Sequence, residues 1–558
     1  MSATRSLATL TEAIPLKFRG QAGTRDLAAV LLLVLLTAIA IAVFAGFIGR
    51  PFWLDEQSRA YQVGLPGLQM GLGNSYAPLS LGWVLAEKAA IAVLPTTEVV
   101  LRLPELICLL ALGPCCYLLA RRLMPRVVAF LVAAALVGYP ANIYYGTQFK
   151  AYIVEALATV LILLVWGRAR TATGWSARLR WYGAIAVLGL FSVPAPFVVA
   201  PLFALDLVEA VRANRGDVRE IARRVAAPLA AGAALLAYVV AFVLPQSFAA
   251  GYNAWDGFYP PHGADALWHF LVAQAPTYLV GAVTAVPAFD TSVIMSVFHT
   301  NRFLSDAVEL TLFILVLAGI WELRRHVVGR GVIVAALAGL LLQLVASWDR
   351  HWPFGLTRAG VFYVPLVYLL AGGGIVNLGR QVRRARRARW PARILFVATA
   401  AVAVTAEAQN LRNERDLLRQ MPIVRLLGDV RPAVAAARLE YRPGTLAYLW
   451  IDGMFRYGAH AKGWVFYMDD YDWSGPVRLA PRIPSADTYF AGAYPDPIPE
   501  LTAYLARHPA ANRLIVAGVS GMSPALTGAG FRLTWERYYP KTFLLMVWVR
   551  RPAALARH

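Results

Sequence analysis

Charge is scarce in this chain. Of its 558 residues only 15% are Asp, Glu, Lys or Arg, where a soluble domain carries about 25%. With 59% hydrophobic residues and a mean hydropathy of +0.55, a soluble globular fold is excluded. Acidic residues are rarer than basic ones, 32 against 53, for a net charge of +21. That excess does not mark a nucleic-acid groove. It is confined to short loops, at Arg121-Arg122, Arg168 to Arg180, Arg212 to Arg224, Arg324-Arg325 and Arg380 to Arg393, as the positive-inside rule places cytoplasmic loops beside anionic lipid. Cysteine is nearly absent: Cys108, Cys115 and Cys116 share one apolar run, which excludes a disulfide framework and zinc spacing. The glycine-rich stretch Gly518 to Gly530 lacks a dinucleotide fingerprint and reads as a turn-rich connection. Asp469-Asp470-Tyr471-Asp472 lacks the glycine and closing glutamate of a calcium loop and reads as a solvated turn. His262, His269, His299 and His351 lack a ligand-like spacing.

What is present is a succession of apolar runs, near 27–48, 100–120, 127–145, 150–167, 181–194, 196–211, 226–244, 306–322, 331–347, 359–378 and 393–408. The fold class is therefore a polytopic α-helical membrane protein with about eleven transmembrane helices. Gly372-Gly373-Gly374 lies inside one run and suits close helix packing. The polar leader and long first run favour a retained anchor. Segment 77–94 is apolar at both ends but carries Glu87-Lys88 at its centre, where charge is costly. Were it to cross, every basic loop would face outward while the basic N-terminus stayed inside. As an interfacial or re-entrant helix it leaves all of them cytoplasmic. The chain then divides into a transmembrane part, 1–408, with outer loops 49–99 and 245–305, and an extracytoplasmic α/β domain, 409–558. In the latter, Leu446–Ile451, Arg513–Ala517 and Thr542–Val549 read as strands and Leu501–Arg507 as a helix. The loop 245–305 is rich in aromatics, Tyr252, Trp255, Phe258, Tyr259 and Trp268 among them, which suits a structure lying on the interface.

The outward parts carry the chemistry. Directly after the first run comes Gly49-Arg50-Pro51-Phe52-Trp53-Leu54-Asp55-Glu56, an aromatic belt leading into two adjacent carboxylates. Further outward candidates are Arg102, Lys150, His262 and Arg358, with Glu155 nearly alone in lying deep within a run. Arg102 reads either as a site residue or as the partner of Glu105 one turn on. Lys150 reads as a site residue or a snorkelling side chain, and Glu155 as a site residue or half of a buried pair. Arg358 breaks the inside bias of the basic residues.

Taken in order, these features resemble a known group. The pair Asp55-Glu56 after the first span, Ala77-Pro78-Leu79, Leu101-Arg102-Leu103-Pro104, Tyr144 to Tyr152, and Arg358 before Phe362-Tyr363-Val364-Pro365-Leu366 are similar to the layout of PMT-like glycosyltransferases of the GT-C fold. That group includes protein O-mannosyltransferases, lipid A aminoarabinose transferases and rhizobial lipopolysaccharide galacturonosyltransferases. The chain departs from it at Gln148, where Arg or Glu is frequent, and at Ala77, where a double proline is frequent.

The resemblance implies an enzyme of the inner or plasma membrane, working at its outer face. The donor would be a polyprenyl-phosphate sugar and the acceptor a hydroxyl on an envelope lipid, glycan or protein. An alcohol needs a base to take its proton as it attacks, and the departing phosphate needs cations in a water-poor site. It implies Asp55 as base with Glu56 in support, and Arg102, Lys150 and Arg358 on the phosphate. Tyr152, Glu155, His262 and Tyr363 would line the substrate site. The group includes metal-dependent and metal-free chemistries, so a divalent metal stays open and no residue is assigned to one. The competing class is a transporter or flippase of envelope precursors, which would need ionisable groups near mid-bilayer and paths to both faces.

Overall fold

The computed structural model describes residues 21–52, 54–64, 78–214, 216–249, 259–272, 302–354, 358–384, 430–450, 488–491, 498–518, 523–539 and 543–550, with single positions 390, 394, 397, 401, 481 and 483. Most of the expected span 393–408, the Asp469–Asp472 turn and most of the loop 245–305 lie outside these residues.

Helix α1 (Gln21–Val43) comes first among the described residues, followed by α2 (Leu54–Gly64) and α3 (Leu81–Val93). A 3-10 turn, Val100–Arg102, leads into α4 (Leu103–Ala120). Then come α5 (Arg126–Gly138), α6 (Pro140–Gly146), α7 (Tyr152–Thr171), α8 (Trp175–Gly189), α9 (Ala195–Ala213) and α10 (Val218–Tyr238). The last of these runs on through a π turn, Val239–Val243. Helices α11 (Arg302–Leu323) and α12 (Val327–Trp348) follow, and a 3-10 turn, Arg358–Tyr363, enters α13 (Val364–Arg384). Among the described residues, six stretches are long and apolar enough to cross a membrane: Gly23–Val43, Val100–Ala120, Tyr152–Thr171, Val218–Gln246, Val327–Trp348 and Ala359–Arg384. Arg126–Gly138 and Leu310–Leu323 are shorter apolar helices. The run expected over 127–145 is broken where Tyr139, held extended by the following Pro140, ends α5 and starts α6. With 13 residues, α3 is about 20 Å long, short of the roughly 30 Å hydrocarbon core.

The glycine triplet is a helix crossing. A Cβ on Gly374 would lie 2.1 Å from the Leu315 carbonyl oxygen, and one on Gly319 would lie 1.8 Å from that of Leu370. Only hydrogen at these positions lets α11 and α13 touch backbone to backbone.

At the basic-loop side, carboxylates tie the helix ends together. Asp26 accepts from the Tyr117 hydroxyl and pairs with Arg121 at 3.2 Å and Arg126 at 2.8 Å, joining α1 to α4 and α5. Asp206 accepts from Trp166 Nε1 at 3.0 Å, Tyr182 Oη at 2.7 Å and Arg170 Nη1 at 3.0 Å, joining α7, α8 and α9. Arg170 also meets Glu209, which pairs with Arg330 of α12 at 3.0 Å. Glu322 of α11 pairs with Arg380 of α13.

The C-terminal part begins with α14 (Arg431–Glu440), then β1 (Thr445–Trp450), β2 (Thr488–Ala491), α15 (Ile498–Arg507), β3 (Arg513–Gly518), α16 (Ser523–Gly528), β4 (Phe531–Tyr539) and β5 (Phe543–Arg550). The strands form one sheet of order β2-β1-β3-β5-β4, parallel from β2 to β3 and antiparallel beyond. Alternation along the strands sends Tyr448, Leu514, Val516, Met546 and Trp548 to the face shared with Leu501, Tyr504 and Leu526. Ala447, Ile515, Ala517, Leu545 and Val547 join instead the core cluster that holds Val430, Val434 and Ala437 of α14. Arg431 pairs with the buried Glu98 at 3.0 Å, so this domain is tied to the segment just before α4.

Gly374→Ala is expected to lower stability by about 1–3 kcal/mol, as overpacking a close contact does, read as the unfolding midpoint in detergent. Gly379→Ala on the same helix, where a Cβ meets nothing within 4 Å, is expected to be neutral or slightly stabilising.

Candidate active site

The site is organised around one carboxylate. Glu56 lies in the first turn of α2 and is fully buried. Its Oε1 accepts from Arg102 Nε at 3.2 Å, Arg102 Nη2 at 3.0 Å and the Phe149 backbone N–H at 2.7 Å, while Oε2 pairs with Arg50 Nη1 at 2.9 Å. Arg102 also donates from Nη1 to the Arg50 carbonyl at 2.8 Å and to the Ile48 carbonyl. Four of its five N–H groups are thus engaged. The sequence allowed Arg102 a partnership with Glu105; it turns back across the chain to Glu56 instead. Burial alone would push the Glu56 carboxyl up. Arg102, then Arg50, the Phe149 N–H and Lys150 reverse that and hold it at about 2.

Aromatic rings wall this cluster. The Arg102 guanidinium lies over Phe52 at 4.8 Å, Phe52 meets Phe149 at 5.5 Å, and Phe149 meets Trp83 of α3 at 5.1 Å. Trp83 Nε1 donates to Glu105 Oε1 at 2.7 Å, which anchors α3 against α4. The charged pair at the centre of α3 splits in two directions. Lys88 Nζ reaches the Val63 carbonyl at 2.7 Å near the end of α2. Glu87 is buried, its carboxyl pushed up by that burial and by the neighbouring Glu105.

Next to the cluster lies the link between α6 and α7. Thr147 Oγ1 bonds the Tyr144 carbonyl at 2.9 Å, and the Lys150 N–H bonds the Gln148 carbonyl at 2.8 Å. Lys150 is fully buried with Nζ 5.9 Å from the Tyr152 ring centroid, and Arg59 of α2 stands 5.5 Å from that same centroid. Tyr152 is thus approached by two cations. Glu155, one turn further along α7, accepts from the Val193 N–H at 3.3 Å and lies within the electrostatic reach of Arg59.

The structure therefore brings Glu56, Arg102, Lys150, Tyr152 and Glu155 into one connected neighbourhood. Residue 55 occupies the first turn of α2, one turn before Arg59, and residue 358 opens the 3-10 turn before α13; the side chains of Asp55 and Arg358 lie outside the described ones. Tyr363 is buried and donates to the Ala336 carbonyl of α12 at 3.0 Å. His262 is exposed and packs edge-on against Trp348 at 5.7 Å. Sequence reading missed Arg50, Arg59, Trp83 and Phe149. Arg59 was findable, because it follows Asp55 by one helical turn. Phe149 was not, since it acts through its backbone N–H. Among the described residues no three His, Cys, Asp or Glu side chains converge on a metal position.

No family model matches the chain, and no curated protein matches it by sequence. Solved structures do match its fold. ArnT from Cupriavidus metallidurans in the apo state aligns with a TM-score of 0.50 at 13% identity, covering 93% of this chain and 98% of that one. The same enzyme bound to undecaprenyl phosphate gives 0.49 at 12%, covering 94% and 98%. The oligosaccharyltransferase AglB from Archaeoglobus fulgidus, in complex with an inhibitory peptide and a dolichol-phosphate, gives 0.46 at 12%, covering 93% and 74%. The chain has the GT-C fold and is a multi-pass membrane protein.

Replacing Glu56 by Gln leaves Arg50 and Arg102 buried without their counter-charge, a loss of about 3–5 kcal/mol by the behaviour of broken buried pairs. The folded carboxyl is depressed to about 2, so its stabilisation is complete above the unfolded value of about 4.3 and fades as pH falls from there through about 2. Denaturation midpoints of wild type and Glu56→Gln should accordingly differ at pH 7, draw together below pH ~4 and converge only as the pH nears about 2.

Proposed function

We propose that this protein is a membrane glycosyltransferase that moves a sugar from a polyprenyl-phosphate donor to an acceptor hydroxyl at the outer face of the cell membrane. The observation that supports this most is the Glu56 hub. It fixes the start of α2, and with it position 55, to the link that carries Lys150 and to the entry of α4. A helix bearing an acid is thereby held beside buried cations, the juxtaposition that base-assisted attack with an anionic leaving group requires. The GT-C neighbour ArnT was crystallised with undecaprenyl phosphate, which agrees with a lipid-phosphate donor.

In this reading the acceptor oxygen attacks the anomeric carbon of the donor. The bond from that carbon to the phosphate oxygen breaks, the lipid phosphate leaves, and the acceptor proton passes to Asp55. Glu56, saturated with donors, positions α2 rather than taking a proton. Lys150 and Arg59 flank Tyr152 where the leaving phosphate would be met, with Arg358 supplying a bidentate fork. Arg102 acts one step back, by holding Glu56. Glu155, His262 and Tyr363 remain substrate-lining proposals, and no step runs through a metal. The envelope acceptor is a lipid, glycan or protein; the hydroxyl is the common chemistry. The transporter reading is less well supported, because the ties at Asp26, Asp206, Glu209 and Glu322 bind together the helix ends that alternating access would have to part.

The test is transfer by the purified protein in nanodiscs, with a panel of polyprenyl-phosphate sugars and hydroxyl acceptors. Asp55→Asn should lose about 10²–10⁴-fold in rate while still binding donor. Near-wild-type turnover by that variant removes Asp55 as base, and no transfer from any donor by the wild type rejects the function. Arg358→Lys should also lose most transfer, because an ammonium cannot replace a fork, whereas Arg389→Lys in the basic run should behave as wild type.

A further inference from the structure

Gln148 stands out among the buried polar side chains. It is fully buried, and among the described residues neither Oε1 nor Nε2 has a hydrogen-bond partner. A buried amide that wastes both ends is rare in folded proteins, and each case calls for a ligand, a water or a function. Its backbone is fixed on every side. The Gln148 N–H bonds the Tyr145 carbonyl at 3.3 Å, the Gln148 carbonyl accepts from Lys150, and the next residue's N–H is held by Glu56 at 2.7 Å. The fold therefore holds, two residues before Lys150, a backbone-anchored amide that no described residue satisfies.

We propose that Gln148 reads a pair of neighbouring hydroxyls on the donor sugar, Nε2 donating to one and Oε1 accepting from the other. The inference rests on the transferase reading above. The choice of ligand follows from which atoms lack partners. A phosphate only accepts, so it would satisfy Nε2 and set an anion against Oε1. A lipid tail would satisfy neither. A hydroxyl both donates and accepts, and two adjacent hydroxyls match the two ends of one amide. Gln148 thereby becomes a specificity-determining residue, and the sugar it selects carries a free vicinal diol.

The roles of a reader and of a structural side chain separate in Gln148→Met, which keeps the size and removes the amide. If the amide serves the ligand, the empty protein gains or keeps thermal stability without it, because an unmet buried polar group is destabilising. Binding of polyprenyl phosphate without sugar should stay at the wild-type level. The kcat/KM for an intact polyprenyl-phosphate hexose should fall by at least about tenfold, and the wild type's discrimination against one or two of the monodeoxy analogues should shrink by a similar factor. Gln148→Glu retains acceptors and loses the donor, so it should lose discrimination at one hydroxyl alone; it also covers the case in which Gln148→Met fails to fold. An unchanged ratio between intact and monodeoxy donors in either variant overturns the proposal while leaving the transferase reading intact. Equal weakening of sugar-free polyprenyl phosphate overturns it in favour of a phosphate contact. A wild type that transfers from no polyprenyl-phosphate sugar removes both.

Discussion

The buried charge cluster at Glu56 is the constraint on which the packing of α2, α3 and the entry of α4 depends. One carboxylate satisfies Arg50 before α2, Arg102 at the entry of α4 and the backbone at Phe149. Three stretches far apart in sequence are thereby set at one depth. Hydrophobic packing alone would not set that depth, because apolar helices in lipid slide past one another at little cost. Directional bonds to a desolvated anion cannot slide. The adjacent acids Asp55 and Glu56 are in this sense unlike groups: Glu56 is consumed by structure, and it is Asp55 to which the proposed function gives the proton transfer.

The opposite face is held by a different device. There the carboxylates Asp26, Asp206, Glu209 and Glu322 sit among arginines, tyrosines and a tryptophan at helix ends, Asp26 and Glu209 partly open to solvent and Asp206 and Glu322 buried. These contacts lash neighbouring helices without burying a reactive group. Tied helix ends at one side and a buried, cation-rich cluster at the other suit a protein that works from one side of the membrane.

Much of the architecture was legible in the sequence because it follows from hydropathy and from loop charge. The positions of most spans, the short α3 and the strands β1, β3 and β5 came from apolar run length and strand-like composition. Strands β2 and β4 escaped. Thr488–Ala491 is only four residues long, and Phe531–Tyr539 carries the exposed Arg532, Glu536 and Arg537, which interrupt its apolar pattern. The break at Tyr139-Pro140 was overlooked because the apolar run continues through it, although the proline announces it. At the site, residue type identified Glu56, Arg102 and Lys150, but not their relations. Arg102 passes over Glu105, its nearest acid in sequence, because the folded chain offers an anion with two lone-pair sets and a second arginine to share it. Gln148 was noted only as a departure from a pattern; that its amide lacks partners is a property of packing, which no linear pattern encodes.

Helix α1 is pinned at both ends and packed along one face only, where Leu33 and Thr37 are buried. Asp26 ties its start to Arg121 and Arg126, and the chain beyond its end enters the Glu56 cluster through Arg50. Leu27, Leu31, Leu35, Ile39 and Val43 along its length are exposed. At 23 residues it spans about 34 Å. A helix fixed in this way cannot shift along its axis to suit a thicker or thinner bilayer, so the lipid around it must adjust. The first helix thus acts as a gauge, imposing a local hydrocarbon thickness at the edge of the site and favouring chains of matching length in the annulus where a polyprenyl tail would have to lie.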